Sequence, residues 1–252
     1  MSKVEFNDLD ITKIEEAEDK RTNFLKMEPG ENIVRIMPPW AKGELYYRQF
    51  KVHFNINVLQ NYGLEMDWFA EACLTDSTGS CPLCALAIKS RAAGTRETDS
   101  DLLDVSKKLR AKKQFVSNAV NMEDKGAGVQ VFQYGKQVRD AVSAIFQRKG
   151  NITHPVNGYN LVISKNKLSA TAEFYTYSVS IDETEDVSKN WDVWSGQLTD
   201  LTTIPTLSDL ETVAAKCEHI DFSPISAPKS SKESKAEEED VDSLLETLSS
   251  TV

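Results

Sequence analysis

The chain has 252 residues, 40% of them hydrophobic, and sets 29 Lys and Arg against 39 Asp and Glu for a formal charge of -10. A chain this long can bury a core without covalent staples, so its four cysteines do not read as a disulfide framework. No apolar run is long enough to span a bilayer, and residues 1–19 are acidic where a secretory signal is basic and then apolar, which predicts a soluble cytoplasmic protein.

In chain order, residues 1–22 lack strong apolar periodicity and read as an N-terminal arm carrying Asp8, Asp10, Glu15, Glu16 and Glu18. Residues 24–26 and 32–37 read as strands about a Pro29-Gly30 turn, stopped by Pro38-Pro39. The β-branched and aromatic run 46–54 predicts a further strand, and Asn61-Tyr62-Gly63 a turn. Residues 85–91 and 100–112 predict helices, the second with Asp101 and Asp104 early and Lys and Arg late, as the macrodipole favours. Residues 113–120 and 129–134 alternate as a hairpin around Asp124-Lys125-Gly126. Val138, Val142, Ile145 and Phe146 recur at helical spacing within 135–148, and Asn157-Gly158 opens a strand 159–163 that can pair with 172–181. Short strands interrupted by helices without regular βαβ alternation predict a β-rich α+β or small-barrel core over residues 23–222. Residues 223–252 are rich in Ser, Pro, Ala, Lys and acids and predict a disordered acidic tail. Its end, with Leu244, Leu245 and Leu248, reads as a docking motif or as a plain solubilising segment.

The densest chemical signal is Cys73, Cys81 and Cys84, the last two in Cys81-Pro82-Leu83-Cys84, with His53 upstream. A two-residue gap lets one turn aim two sulfurs at one ion, and a third thiolate with an imidazole completes a structural zinc shell. A zinc subdomain is therefore expected near residues 53–95. His53 is the preferred fourth ligand, with Cys217, His154 and Asp76 as rivals. The same knuckle before a helix also fits a thioredoxin-like oxidoreductase, although the preceding residues 75–80 are polar and turn-like rather than a strand.

The net charge hides a basic middle. Lys107, Lys108, Arg110, Lys112, Lys113, Lys125, Lys136, Arg139, Arg148 and Lys149 lie between acidic ends, so the tail can compete with a polyanion for the same surface. Candidate cation and ring sets are Tyr46, Tyr47, Arg48 and Lys51; Lys112, Lys113 and Phe115; and Tyr134, Lys136 and Arg139. Alternation puts Tyr46 and Arg48 on one face and Tyr47 and Lys51 on the other, each with a ring and a cation, so either face can bind. No phosphate loop, nucleophile elbow or zinc-protease helix is present, and a non-enzymatic protein is expected.

The order of these features resembles the helix-destabilising single-stranded DNA-binding proteins of T-even-type bacteriophages. The resemblance rests on Met27 to Arg35 with its Pro-Gly turn, on His53 with Cys73, Cys81 and Cys84, on Tyr134-Gly135-Lys136 leading into a helix, on Ile152-Thr153-His154-Pro155, and on the acidic tail. It implies an OB-fold core with an inserted zinc subdomain, a basic cleft lined with aromatics, and a tail that recruits replication, recombination and repair proteins in an infected bacterial cell. Such proteins also associate along DNA through a basic N-terminal arm. The arm here is acidic on balance, with Lys20 and Arg21 at its end, so those contacts are not carried over. The expected function is coating and protection of single-stranded DNA. A zinc-containing transcription or replication regulator that prefers duplex is the other binding class.

Overall fold

The computed structural model describes residues 23–94, 100–169, 174–182 and 186–222, so the predicted arm and acidic tail lie outside the described residues. Within them the strands are β1 (Gly30–Ile36), β2 (Arg48–Phe54), β3 (Ala70–Ala72), β4 (Lys112–Asn121), β5 (Val129–Gly135), β6 (Leu161–Lys167) and β7 (Tyr175–Ile181). The α-helices are α1 (Thr75–Thr78), α2 (Pro82–Ala93), α3 (Ser100–Leu109), α4 (Lys136–Lys149), α5 (Ser188–Ser195) and α6 (Leu210–Cys217). A 3-10 helix, Ile56–Tyr62, follows β2.

The strands form one seven-stranded sheet in the order β3-β2-β4-β1-β6-β7, with β5 also paired to β4, and all these pairings are antiparallel. β4 organises it. Residues 114–120 pair with β5, 112–116 with β2 and 119–121 with β1. The sheet is thus α+β and β-rich, as expected. No pairing among the described residues joins β5 or β3 to β7 and closes the sheet into a complete barrel.

Both faces of β4 are buried, which is why its sequence, FVSNAV from Phe115, lacks a solvent-facing alternation. Phe115 and Ala119 pack with Val34, Ile36, Leu161 and the α4 residues Val138, Val142 and Ile145. On the other face Val116 meets Phe50, Val52, Leu201 and Ile204, while Val120 meets Met37 and Trp194. Asn118 is buried between these apolar groups. Its amide donates to Thr199 O at 2.9 Å and accepts from Thr199 N at 3.0 Å, so the chain at Thr199 is held as a strand would be.

A separate apolar cluster gathers Ile56, Leu59, Leu83, Leu86, Leu109 and Val213 with Phe222. It shows that the region around the cysteines is closed by α6, a helix far away in sequence. Asp209 caps α6 by accepting from Thr212 N at 2.7 Å. The elements α1, α5, α6, β3 and the 3-10 helix add to those predicted, whereas residues 24–26 contribute only an isolated bridge between Phe24 and Val131.

The His154-Pro155 motif has a structural role. Arg35 of β1 is fully buried and donates to Asn160 Oδ1 at 3.2 Å and to His154 O at 2.5 Å. The ring Nδ1 of His154 accepts from the amides of Val156 and Asn157, both at 3.1 Å, and Gly158 N donates to His154 O at 2.8 Å. A Cβ on Gly158 would collide with the carbonyl oxygens of Ile152 and His154 and with the Arg35 guanidinium. Gly158→Ala is expected to lower stability by about 1–3 kcal/mol, the usual cost of overpacking a site that cannot relax. Urea unfolding followed by Trp fluorescence measures it, and an unchanged midpoint would show that the loop yields freely.

Candidate metal centre and nucleic-acid interface

Pairing of β2 with β3 places His53 opposite Glu71 and so brings the chain to Cys73 beside the imidazole. Cys81 then takes the N-cap position of α2, Pro82 begins the helix with its φ already suited to the first turn, and Cys84 lies within that turn. The donor atoms of His53, Cys73, Cys81 and Cys84 all lie within 4.8 Å of one another. Cys81 Sγ is 3.4 Å and Cys84 Sγ 3.6 Å from His53 Nε2, and Cys73 Sγ is 3.6 Å from Cys84 Sγ. Tetrahedral zinc with sulfur at about 2.3 Å and nitrogen at about 2.0–2.1 Å separates its ligands by roughly 3.5–3.8 Å. The donor set and its spacing fit that ion.

The orientation of His53 supports the same reading. Its Nδ1 lies 2.6 Å from Leu109 O, and a carbonyl only accepts, so Nδ1 carries the proton and Nε2 presents its lone pair to the three sulfurs. The hydrogen bond also ties the cage to the end of α3.

The rivals for the fourth position are engaged elsewhere. Asp76 is ion-paired to Lys51 at 2.9 Å, and His154 caps its own turn. Cys217 packs in the same apolar cluster, and burial pushes its thiol up to about 11, but it is not one of the four mutually close donors among the described residues. Burial, with the neighbouring Cys73 and Cys81 adding to it, pushes the Cys84 thiol up to about 12. A redox-active Cys-x-x-Cys thiol is shifted the other way, and among the described residues the antiparallel sheet offers no βαβ unit to carry one.

The structure sorts the ten predicted contact residues by their partners. Phe115 and Tyr134 are 1% and 5% exposed and lie in the core, so neither offers a free ring face to a base. Tyr134 is hydrogen-bonded to Ser117 at 2.6 Å. Tyr46 stacks on Phe146 with centroids 4.4 Å apart, and Tyr47 meets Phe115 edge-on at 5.8 Å; both are half-buried. Alternation along β2 sends Phe50 into the core, where Arg48 donates to Leu201 O at 2.8 Å. Lys51 points instead to Asp76. Arg139 lies over the Phe115 ring at 5.0 Å and shares Asp140 with Lys136, at 2.9 and 3.6 Å. Lys112 and Lys113 are exposed and have no ion pair among the described residues.

Lys112 opens onto a cavity of about 530 Å³ lined also by Asn55, Val58, Lys107, Lys108 and Phe174. Among the described residues Asp104 is the one carboxylate in its wall, and it pairs with Lys107 at 2.8 Å, which leaves Lys108 and Lys112 as its unpaired cations. Phe174 is 66% exposed. It precedes β7, whose Tyr175 lies under Lys165 at 4.7 Å and Lys167 at 5.4 Å. Phe174, Tyr175, Lys165 and Lys167 were not among the sequence candidates. Their only sequence signal is alternation of cations and rings across the β6–β7 pair.

Residues 28–220 match the family described as gp32 DNA binding protein like. No curated protein matches the chain.

A site that holds thiols at neutral pH must lose protons to bind a metal as thiolates. Since the metal-free Cys84 thiol is held well above its usual range, affinity is expected to fall as pH is lowered, by about tenfold per unit for each proton released. Competition with a chromogenic chelator between about pH 6 and 8 tests this. Affinity independent of pH would mean that the thiols are not ligands.

Proposed function

The chain belongs to the family of gp32-like DNA-binding proteins, and from that premise we propose that it coats and protects single-stranded DNA, without catalysis, during replication, recombination and repair. The observation that carries the reading is the cavity where Lys107, Lys108 and Lys112 surround the exposed Phe174. Sequence-independent capture of a single strand needs cations for phosphates and ring faces for bases, and these residues supply both within one concavity. Lys113 and the Lys165, Lys167 and Tyr175 group extend the binding surface, Tyr46, Tyr47, Arg48, Lys51, Lys136 and Arg139 are further candidate contacts, and the buried Phe115 and Tyr134 support the sheet from its core.

Zinc in the His53, Cys73, Cys81 and Cys84 cage has a structural role in this reading. It fixes β2, β3 and α2, and through the Leu109 carbonyl it fixes α3, which bears Lys107 and Lys108. The sheet serves as an OB-type platform beside this subdomain. Replication and recombination proteins are recruited through the acidic residues 223–252, which lie outside the described residues. The setting is the cytoplasm of an infected bacterial cell. No helix among the described residues is long and apolar enough to cross a membrane.

The affinity of a single strand should fall with salt at a log-log slope of roughly 0.7 per phosphate neutralised, and Lys112→Ala should flatten that slope by about that amount. Phe174→Ala should weaken binding by about 1–3 kcal/mol with the slope unchanged, because stacking releases no counterions. Fluorescence titration with oligo-dT at several salt concentrations separates the two effects. Equal affinity for duplex, or no effect of either variant, would favour a duplex-binding regulator.

A further inference from the structure

The metal cage is not closed on all sides. Cys73 and Cys81 are buried, but Cys84 is partly exposed and forms part of the wall of a second cavity, of about 420 Å³. The rest of that wall includes the apolar Ala87, Ile88 and Ala111 and two arginines, Arg91 and Arg110. Among the described residues neither arginine makes an ion pair and no carboxylate lines the cavity. An apolar hollow with a cationic rim therefore leads to one sulfur of the proposed zinc shell.

We propose that this cavity is a binding and modification site for small anionic disulfides, which react at Cys84 and open the metal cage. The inference rests on the zinc reading above, because coordination is what keeps Cys84 as a thiolate, the nucleophilic form. In the first exchange the Cys84 sulfur forms a bond to the near sulfur of the disulfide. The disulfide's own S–S bond breaks and its far sulfur leaves as a thiolate. Cys73 Sγ, 3.6 Å from Cys84 Sγ, is placed to attack next. It forms a Cys73–Cys84 bond and expels the remaining half of the reagent as a second thiolate. One external disulfide is thereby reduced to two thiolates while two cysteine thiolates are oxidised to one disulfide. His53 and Cys81 alone are too few to complete a tetrahedral shell.

The charge of the rim makes the proposal selective. Arg91 and Arg110 raise the local concentration of anions and lower that of cations, an effect of about tenfold or more in clefts of one sign at low salt. Other cysteines do not share this route. Cys217 is buried and lines no part of the cavity.

The test uses the full chain, with its metal content measured first. Oxidised glutathione, which is anionic, and cystamine, which is cationic, are added separately, and metal release is followed with a chromogenic chelator. Each rate is divided by that of the same reagent with a small free thiol. The corrected rate is expected to be about tenfold or more higher for oxidised glutathione, and Arg91→Glu with Arg110→Glu should reverse the preference. Mass spectrometry of early samples should find glutathione on Cys84, and late samples should contain the Cys73–Cys84 disulfide. Protein without metal at the outset would overturn the zinc reading and this inference with it. Metal-loaded protein that releases its ion equally fast with both reagents, or that is first modified at Cys73, Cys81 or Cys217, would overturn this inference alone.

Discussion

The rest of the molecule depends on the double burial of β4. Its residues from Phe115 to Val120 face apolar side chains above and below, and its hydrogen-bonding edges are taken by β5 on one side and by β2 and then β1 on the other. A strand enclosed in this way cannot slip by one residue, because a slip would move Phe115 and Val116 to opposite faces at once. Its start is therefore fixed in space. Lys112 and Lys113 occupy that start, so the core sets the position of exposed cations that the core itself does not need.

In the proposed reading, a metal held by His53, Cys73, Cys81 and Cys84 fixes the opposite wall. Three of its donors come from β2, the residue after β3 and the first turn of α2, with Cys81 at the N-cap position of that helix, and the His53 to Leu109 hydrogen bond adds the end of α3. A subdomain built on short elements such as the three-residue β3 and the four-residue α1 has little ladder or helix cooperativity of its own. Metal binding of about 10–16 kcal/mol in small metallo-domains is large against that deficit. The cage and β4 together hold Lys107, Lys108 and Lys112 around one cavity, while the β6–β7 pair supplies Phe174. The site is thus assembled from parts of the chain that share no local motif.

That assembly explains what could be read in the sequence. The cysteine and histidine cage was legible because knuckle spacing is local and its chemistry is narrow, and the strands now labelled β1, β2, β4, β5, β6 and β7 were legible from alternation and turns. Alternation groups residues by face but does not say which face a helix will cover. For that reason Phe115 and Tyr134 looked like stacking platforms until α4 was seen to bury them. Phe174 was missed because its partners Lys107, Lys108 and Lys112 are more than sixty residues away in sequence. Helices α5 and α6 were missed because they are only two turns long. The Asp209 cap ahead of Leu210-Glu211-Thr212 was the one local cue to α6.

The central claim is that a single strand lies in the cavity between the metal-braced subdomain and the β6–β7 pair. Lysine-reactive footprinting of the full chain with and without a saturating oligo-dT tests it most directly, with Lys189 on α5 as an internal control. The account predicts strong protection of Lys107, Lys108 and Lys112 and none at Lys189. Protection absent from those three lysines while the oligonucleotide is demonstrably bound would contradict it.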